Sequence, residues 1–306
     1  MLPLKSSRDT TIGALGSLGG LVGWSIAPVF IKYLTDYFDS WTQNFYRYLV
    51  ACLVCAPLLL AAKRRGRLHP DVWRAALYPA IPNVIMQCFW AAGFYYVNPG
   101  FGTLLAQSSI LWTAVFAMTA FPEERGLLRS PALWGGLLLS GVGVAGVILA
   151  RPDFAARGTL AGILIVLSSS FFWAAYTVTA RGAFRNIPSQ QGFAVMCLYT
   201  TVGLGLIGLV VSRQVVHPPR IPSAWVAIVV SGIVSIALAH IVYYVAQKRV
   251  GATIPALILL LVPFSTLALS WAVFGERLLP AQWGWGIVSI AGSGLFVLAH
   301  RHITGR

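Results

Sequence analysis

His240 is followed by Tyr243, Tyr244 and Gln247 at three, four and seven residues, a spacing that puts side chains on one face of a helix. An imidazole inside an apolar stretch can relay protons near neutral pH or hydrogen-bond a ligand. It can equally be a neutral ring satisfied by a neighbouring helix. Asn83, Gln87 and Trp90 repeat the pattern. Two amides and an indole on one face of an apolar helix are costly unless they meet partners or water, so they bond between helices or touch a ligand. Gln107 and Ser108 carry the same two readings. Trp24 and Trp173, the latter with Tyr176 one turn on, lie in the middle of their stretches. They could stack on an apolar, aromatic or cationic ligand or pack against neighbouring helices. Arg47, three residues after Asn44, could attract an anionic group, snorkel outward, or bond carbonyls across helices.

Other chemistry is missing from the pattern. The acids Asp9, Asp36, Asp39, Asp71, Glu123, Glu124, Asp153 and Glu276 all fall between apolar stretches or at their ends. Proton- or cation-coupled carriers usually hold a carboxylate in mid-membrane, where a raised pKa lets it exchange protons for solute. Glu124 and Glu276 read instead as helix-end caps or partners of Arg125 and Arg277. A membrane enzyme would show a cluster of Asp, Glu, His or Cys able to hold metal or do acid–base work. No HxxxH, DxxD, Walker or Rossmann pattern is present, nor the ring of like side chains that a channel filter needs. Cys52, Cys55, Cys88 and Cys197 all lie in apolar segments. The Cys52–Cys55 pair has Leu53 and Val54 between and no second pair, so small buried residues fit better than a redox or zinc site. The sequence thus implies no catalytic residue, no metal, no cofactor, no disulfide and no enzyme.

These side chains need elements to hold them. The chain is 58% hydrophobic and 10% charged, with a mean hydropathy of +0.76, whereas a soluble domain carries roughly 25% charged residues. Much of its surface must therefore face lipid, where only helices or closed barrels satisfy the backbone. Ten apolar segments are each near the ~20 residues that cross ~30 Å of hydrocarbon: 12–34, 41–62, 73–96, 101–120, 131–150, 159–180, 190–212, 222–246, 252–274 and 281–300, here α1 to α10. The third is the least apolar, with Arg74, Pro79, Pro82 and Asn83. The run from Ile12 is too long for a signal peptide core and reads as a permanent helix. Pro28, Pro82, Pro255 and Pro263 interrupt α1, α3 and α9 and permit kinks.

The net charge of +14 suggests nucleic acid only until the basic residues are placed; they sit between the apolar segments, as positive-inside bias and anionic headgroups predict. The termini and alternate loops hold Lys5, Arg8, Lys63, Arg64, Arg65, Arg67, Arg74, Arg125, Arg129, Arg181, Arg185, Lys248, Arg249, Arg301 and Arg306. The opposite side holds Lys32, Arg151, Arg157, Arg213, Arg220 and Arg277. This places both termini in the cytoplasm and the chain in a cell inner membrane.

The chain also repeats. Trp24 to Lys32 is echoed by Trp173 to Arg181, Tyr95-Tyr96-Val97 by Tyr243-Tyr244-Val245, and Gly102-Thr103 by Ala252-Thr253. Glu123-Glu124-Arg125 with Trp134-Gly135 is echoed by Gly275-Glu276-Arg277 with Trp285-Gly286. The matches keep their order, which divides the chain into halves 1–150 and 151–306. Five spans is an odd number, so the halves enter the membrane from opposite sides. The expected fold is all-α, with ten transmembrane helices as two inverted five-helix repeats. That architecture belongs to transporters, with the solute held near the midplane between halves.

Gly275-Glu276-Arg277-Leu278, Trp285-Gly286 and Gly292/Gly294, with the opening Trp24, Pro28, Lys32 and Arg47, resemble the EamA repeat. Two such repeats resemble the drug/metabolite transporter superfamily. The resemblance implies a central cavity lined by α1, α3, α4, α6, α8 and α9, and export of amino acids or related metabolites by alternating access. A membrane enzyme or non-transport scaffold is the alternative. The first repeat departs from the pattern with Leu111 where the second has Pro263, and with PEER instead of GER. Arg47 has no basic counterpart near Met196. With α3 in the implied cavity set, Gln87 and Trp90 become substrate contacts. Gln107, Ser108, Trp24, Trp173, Tyr176, His240, Tyr243 and Tyr244 are the further candidates. Arg47, on a helix outside that set, is taken as structural. The expected partners are a small-molecule substrate and the bilayer, without nucleic acid. Gly135, Gly136, Gly141, Gly143, Gly292 and Gly294 favour close packing of α5 and α10, or a homodimer surface there.

Overall fold

The computed structural model describes residues 7–251 and 253–304, with side chains except those of residues 7, 8, 10, 123, 124, 127 and 300–304. The expectations for Lys5, Arg8, Glu123, Glu124, Ala252, Arg301 and Arg306 lie outside what is described. The helices are α1 (Ser7–Leu34), α2 (Ser40–Arg64), α3 (Val72–Gly93), α4 (Pro99–Leu105 and Ser109–Ala120), α5 (Pro131–Leu149), α6 (Arg157–Ala183), α7 (Ser189–Val211), α8 (Pro222–Ser231 and Ala239–Val250), α9 (Thr253–Leu259 and Val262–Phe274) and α10 (Pro280–Thr304). No strand occurs among the described residues.

Local chemistry sets the boundaries. Asp39 caps α2 by accepting from the Thr42 N–H at 2.8 Å, and Ser130 caps α5 through the Leu133 N–H. Proline opens the first turn of α4, α5 and α8, where its missing N–H is no loss. Gly251 and Gly275 end α8 and α9 at φ +84° and +67°, a conformation that side chains with a Cβ resist.

Nine of the described helices are long and apolar enough to cross a membrane; α3 falls short on composition. Its 22 residues still span about 33 Å at ~1.5 Å per residue. Contacts between loops place its two ends at opposite faces of the bundle. Before α3, the carbonyl of Arg67 accepts from Gln191, and the His69 N–H donates to the same amide; Arg249 pairs with Asp9 on that face. After α3, the Phe94 carbonyl accepts from Lys32 at 2.9 Å, on the face where Asp39 meets Ser212 and Gln214. The two ends of α3 therefore lie on opposite faces, here the basic face and the opposite face.

Packing exchanges the halves. The α1–α8 contact is matched by α6–α3, α1–α9 by α6–α4, and α2–α8 by α7–α3. The pairs α2–α7, α4–α9 and α5–α10 join equivalent helices across the pseudo-twofold relation. Small residues permit the closest of these. A Cβ on Gly143 would lie 2.4 Å from the Ser289 backbone nitrogen, and one on Gly292 2.3 Å from that of Ser140. Gly136 and Gly146 are equally pressed against α10, so the glycine faces of α5 and α10 are consumed within the chain.

Polarity is inside out. Val210, Leu138, Leu53 and Leu15 are 85, 68, 65 and 64% exposed, an apolar belt suited to lipid. Thr42, Gln43, Asn44, Arg47, Asn83 and Thr200 are buried and bond across helices. The Asn44 amide donates to the Gln87 carbonyl at 2.6 Å, and that of Asn83 to Thr200 Oγ1 at 2.9 Å.

Candidate functional site

Three irregularities converge on one level of the bundle. A 3₁₀ turn at Ala106–Ser108 interrupts α4. A break at Leu260–Leu261, just before Pro263, interrupts α9. In α8 the chain widens into a π-helix over Gly232–Leu238. Breaks of this kind free backbone groups and are tolerated at membrane depth where they line a cavity, and π-segments frequently mark functional sites.

They surround a cavity of about 280 Å³, just under the ~300–1,000 Å³ typical of ligand pockets. It draws residues from α1, α2, α3, α4, α6, α8 and α9, the expected set with α2 added. Trp24, Gln87, Trp90, Gln107, Trp173 and His240 line it. Ser108, Tyr176, Tyr243 and Tyr244 lie outside that lining. Ser108 is buried in the α4 turn beside Gln107, and its hydroxyl has no partner. Tyr243 and Tyr244 share the His240 face but lie one turn further toward the basic face, behind the cavity.

These aromatics form a layer under the cavity. The Trp24 ring meets Trp173 at 6.5 Å, His240 at 5.1 Å and Tyr243 at 4.9 Å between centroids, each edge to face. Tyr176 abuts Trp173. His240 stacks on Phe193 at 4.3 Å, and its Nδ1 lies 2.7 Å from the Ile236 carbonyl. A carbonyl can only accept, so Nδ1 carries the hydrogen; in a neutral ring Nε2 is then the acceptor.

The helix α3 face divides. Asn83 serves interhelical bonding, whereas Gln87 both lines the cavity and donates to Tyr48 Oη at 2.7 Å. Sequence reasoning missed Tyr48, Ser169, Ser170 and Ser235, which also line the cavity. Arg47 does too. It is 2% exposed, so it does not snorkel, and its Nε donates to Ser231 Oγ on α8 at 3.0 Å. A lone arginine in an apolar segment, with Asn44 one turn away, was the available signal. The four cysteines are free, and no cluster of metal-binding side chains occurs among the described residues.

On the opposite face the halves are latched. The Glu276 carboxylate accepts from the Gly100 and Phe101 N–H groups at the start of α4, both at 2.8 Å. A buried acid at a helix N-terminus meets orphan donors and the favourable end of the dipole. Of the two sequence readings of Glu276, helix-end cap or partner of Arg277, these bonds match the cap, although the helix capped is α4 of the other half.

Comparison with known proteins agrees with this geometry. The model of the EamA-like transporter family matches residues 11–149 and again 160–298. A protein of Archaeoglobus fulgidus described as an uncharacterized transporter is 23% identical over 276 residues, covering 88% of this chain and 91% of its own. Another, from Acidianus ambivalens, is described as an uncharacterized transporter in the sor 3′ region; it is 25% identical over 129 residues, 42% of this chain and 47% of its own. A crystal structure of a protein 18% identical superposes with a TM-score of 0.65, over 94% of this chain and 98% of that one, a likeness of fold.

Proposed function

The chain belongs to the EamA-like transporter family, and from that premise we propose that it carries small metabolites, amino acids or related compounds, out of the cell by alternating access. The observation that carries this reading is the position of the cavity: side chains from both halves line it, at the level where α4 and α9 are broken. Rocking of one half against the other would open it first to one face and then to the other. Trp24, Gln87, Trp90, Gln107, Trp173 and His240 are the proposed solute contacts. Ser108, Tyr176, Tyr243 and Tyr244 would act by holding them.

The excess of Lys and Arg on the face that carries the termini supports placing that face in the cytoplasm of an inner membrane. With no carboxylate lining the cavity, facilitated movement is favoured over exchange through a buried acid. A homodimer through α5 and α10 would have to use their lipid-facing sides, because their glycine faces are taken. Purified protein in liposomes, loaded with labelled amino acids and assayed with and without a pH gradient, tests the proposal. Efflux above that of empty liposomes is expected; no flux of any of the metabolites would sink the carrier reading. Flux that depends on the gradient would replace facilitated movement with proton coupling.

A further inference from the structure

Among the described residues Arg47 is the one charged side chain lining the cavity. It is buried, and of its five N–H donors only Nε has a protein acceptor among the described residues, Ser231 Oγ. No carboxylate lines the cavity beside it; Asp39, in the loop before α2, is occupied by the Thr42 N–H that it caps and by the Ser212 hydroxyl. A guanidinium without a counter-ion at membrane depth is expensive, and retaining one calls for an anion that comes and goes.

Its surroundings are built to hold it still. Gly232, where the π-segment begins, approaches so closely that a Cβ there would lie 2.7 Å from the Arg47 carbonyl. Within the same π-segment, Ser235 lines the cavity with a buried hydroxyl that has no partner. The guanidinium and this hydroxyl supply donors without acceptors. Elsewhere the wall includes three indoles, Trp24, Trp90 and Trp173, with aliphatic side chains such as Met86, Ile236 and Leu260.

We infer that the cavity takes a small molecule with an anionic carboxylate and an apolar or aromatic body, the carboxylate pairing with Arg47 and Ser235. Such charge-assisted bonds, two of them parallel from one guanidinium, are strong and geometrically selective. The same charge rejects organic cations, which the indoles alone would have welcomed. This inference deepens the transport proposal and rests on the cavity being its site.

Three probes of one skeleton separate the charge from the body: 3-phenylpropionate, 3-phenylpropionamide and 3-phenylpropylamine. Equilibrium binding to the detergent-purified chain should favour the carboxylate over the amide by about tenfold or more, with the amine weakest. Arg47→Gln, which can still bond Ser231, should erase the carboxylate preference, and Arg47→Lys should retain part of it. Should Arg47→Gln fail to fold, Ser235→Ala takes its place; it should lower carboxylate affinity several-fold while the unliganded protein melts as before. Amide or amine binding as tight as that of the carboxylate overturns the inference, as does no carboxylate binding at millimolar concentration. A preference unchanged in the variants overturns it too. Counterflow of the same probes in liposomes reports separately: selective binding without movement would strike the transport proposal and leave the binding assignment intact.

Discussion

The indoles of Trp24 and Trp173 meet edge to face across the two halves, centroids 6.5 Å apart and planes at 89°. The two residues hold equivalent places in the repeats, so the pseudo-twofold relation passes close to their contact. Trp24 also touches His240 and Tyr243, and each aromatic pair contributes about 0.5–1.5 kcal/mol beyond its buried area. Trp24→Ala should therefore lower the melting temperature and raise the transport KM by about tenfold. Trp24→Phe should recover most of both. Liposome flux and a melting curve on the same preparation check this.

His240 is held by its own helix through Nδ1, stacked on Phe193 and met edge to face by Trp24. No carboxylate faces it to favour an imidazolium. His240→Gln should leave the shape of the transport pH profile between about pH 5 and 8 unchanged and reduce the rate by a few-fold at most. Loss of a pH-dependent phase in the variant would restore a proton role.

Glu276 satisfies two buried N–H groups from the other half. Glu276→Ala strands both, at about 1–3 kcal/mol for each donor left without an acceptor. The melting temperature should fall, and a cysteine introduced near Gly100 should react faster with a membrane-impermeant thiol reagent. Glu276→Gln keeps one acceptor oxygen and should fall between wild type and alanine.

Gly143 leaves no room for a methyl group against Ser289. Gly143→Ala should destabilise the chain by about 1–3 kcal/mol through overpacking, whereas alanine at Gly284, which meets nothing within 4 Å, should be nearly neutral. Thermal melting of both variants in one detergent makes the comparison.

The sequence made the bundle legible because hydropathy registers span length directly, and repeated motifs register equivalence. It also placed six of the ten candidate residues in the cavity wall. Spacing alone could not separate residues on one face that differ in depth: Tyr244 follows His240 by a helical turn, about 5–6 Å along the axis, and so leaves the cavity. Arg47 lines the cavity although its helix was expected outside the lining set, for a different reason. Charge in an apolar helix is a local signal, but the hydroxyl that receives it lies 184 residues away on α8. The π-segment that brings Ser235 and Ile236 into the wall has no residue signature, since it depends on Gly232 pressing against α2.

The α5–α10 seam bears on motion as well as on cohesion. Its backbones are so near that sliding one helix along the other would drive side chains through main-chain atoms. Across this seam the only soft coordinate left is a pivot about the line of contact. It acts as the pin of a hinge, and displacement grows with distance from it. A covalent bridge between cysteines placed at Ser140 and Ser293, whose hydroxyls already lie 3.2 Å apart, should thus leave turnover intact.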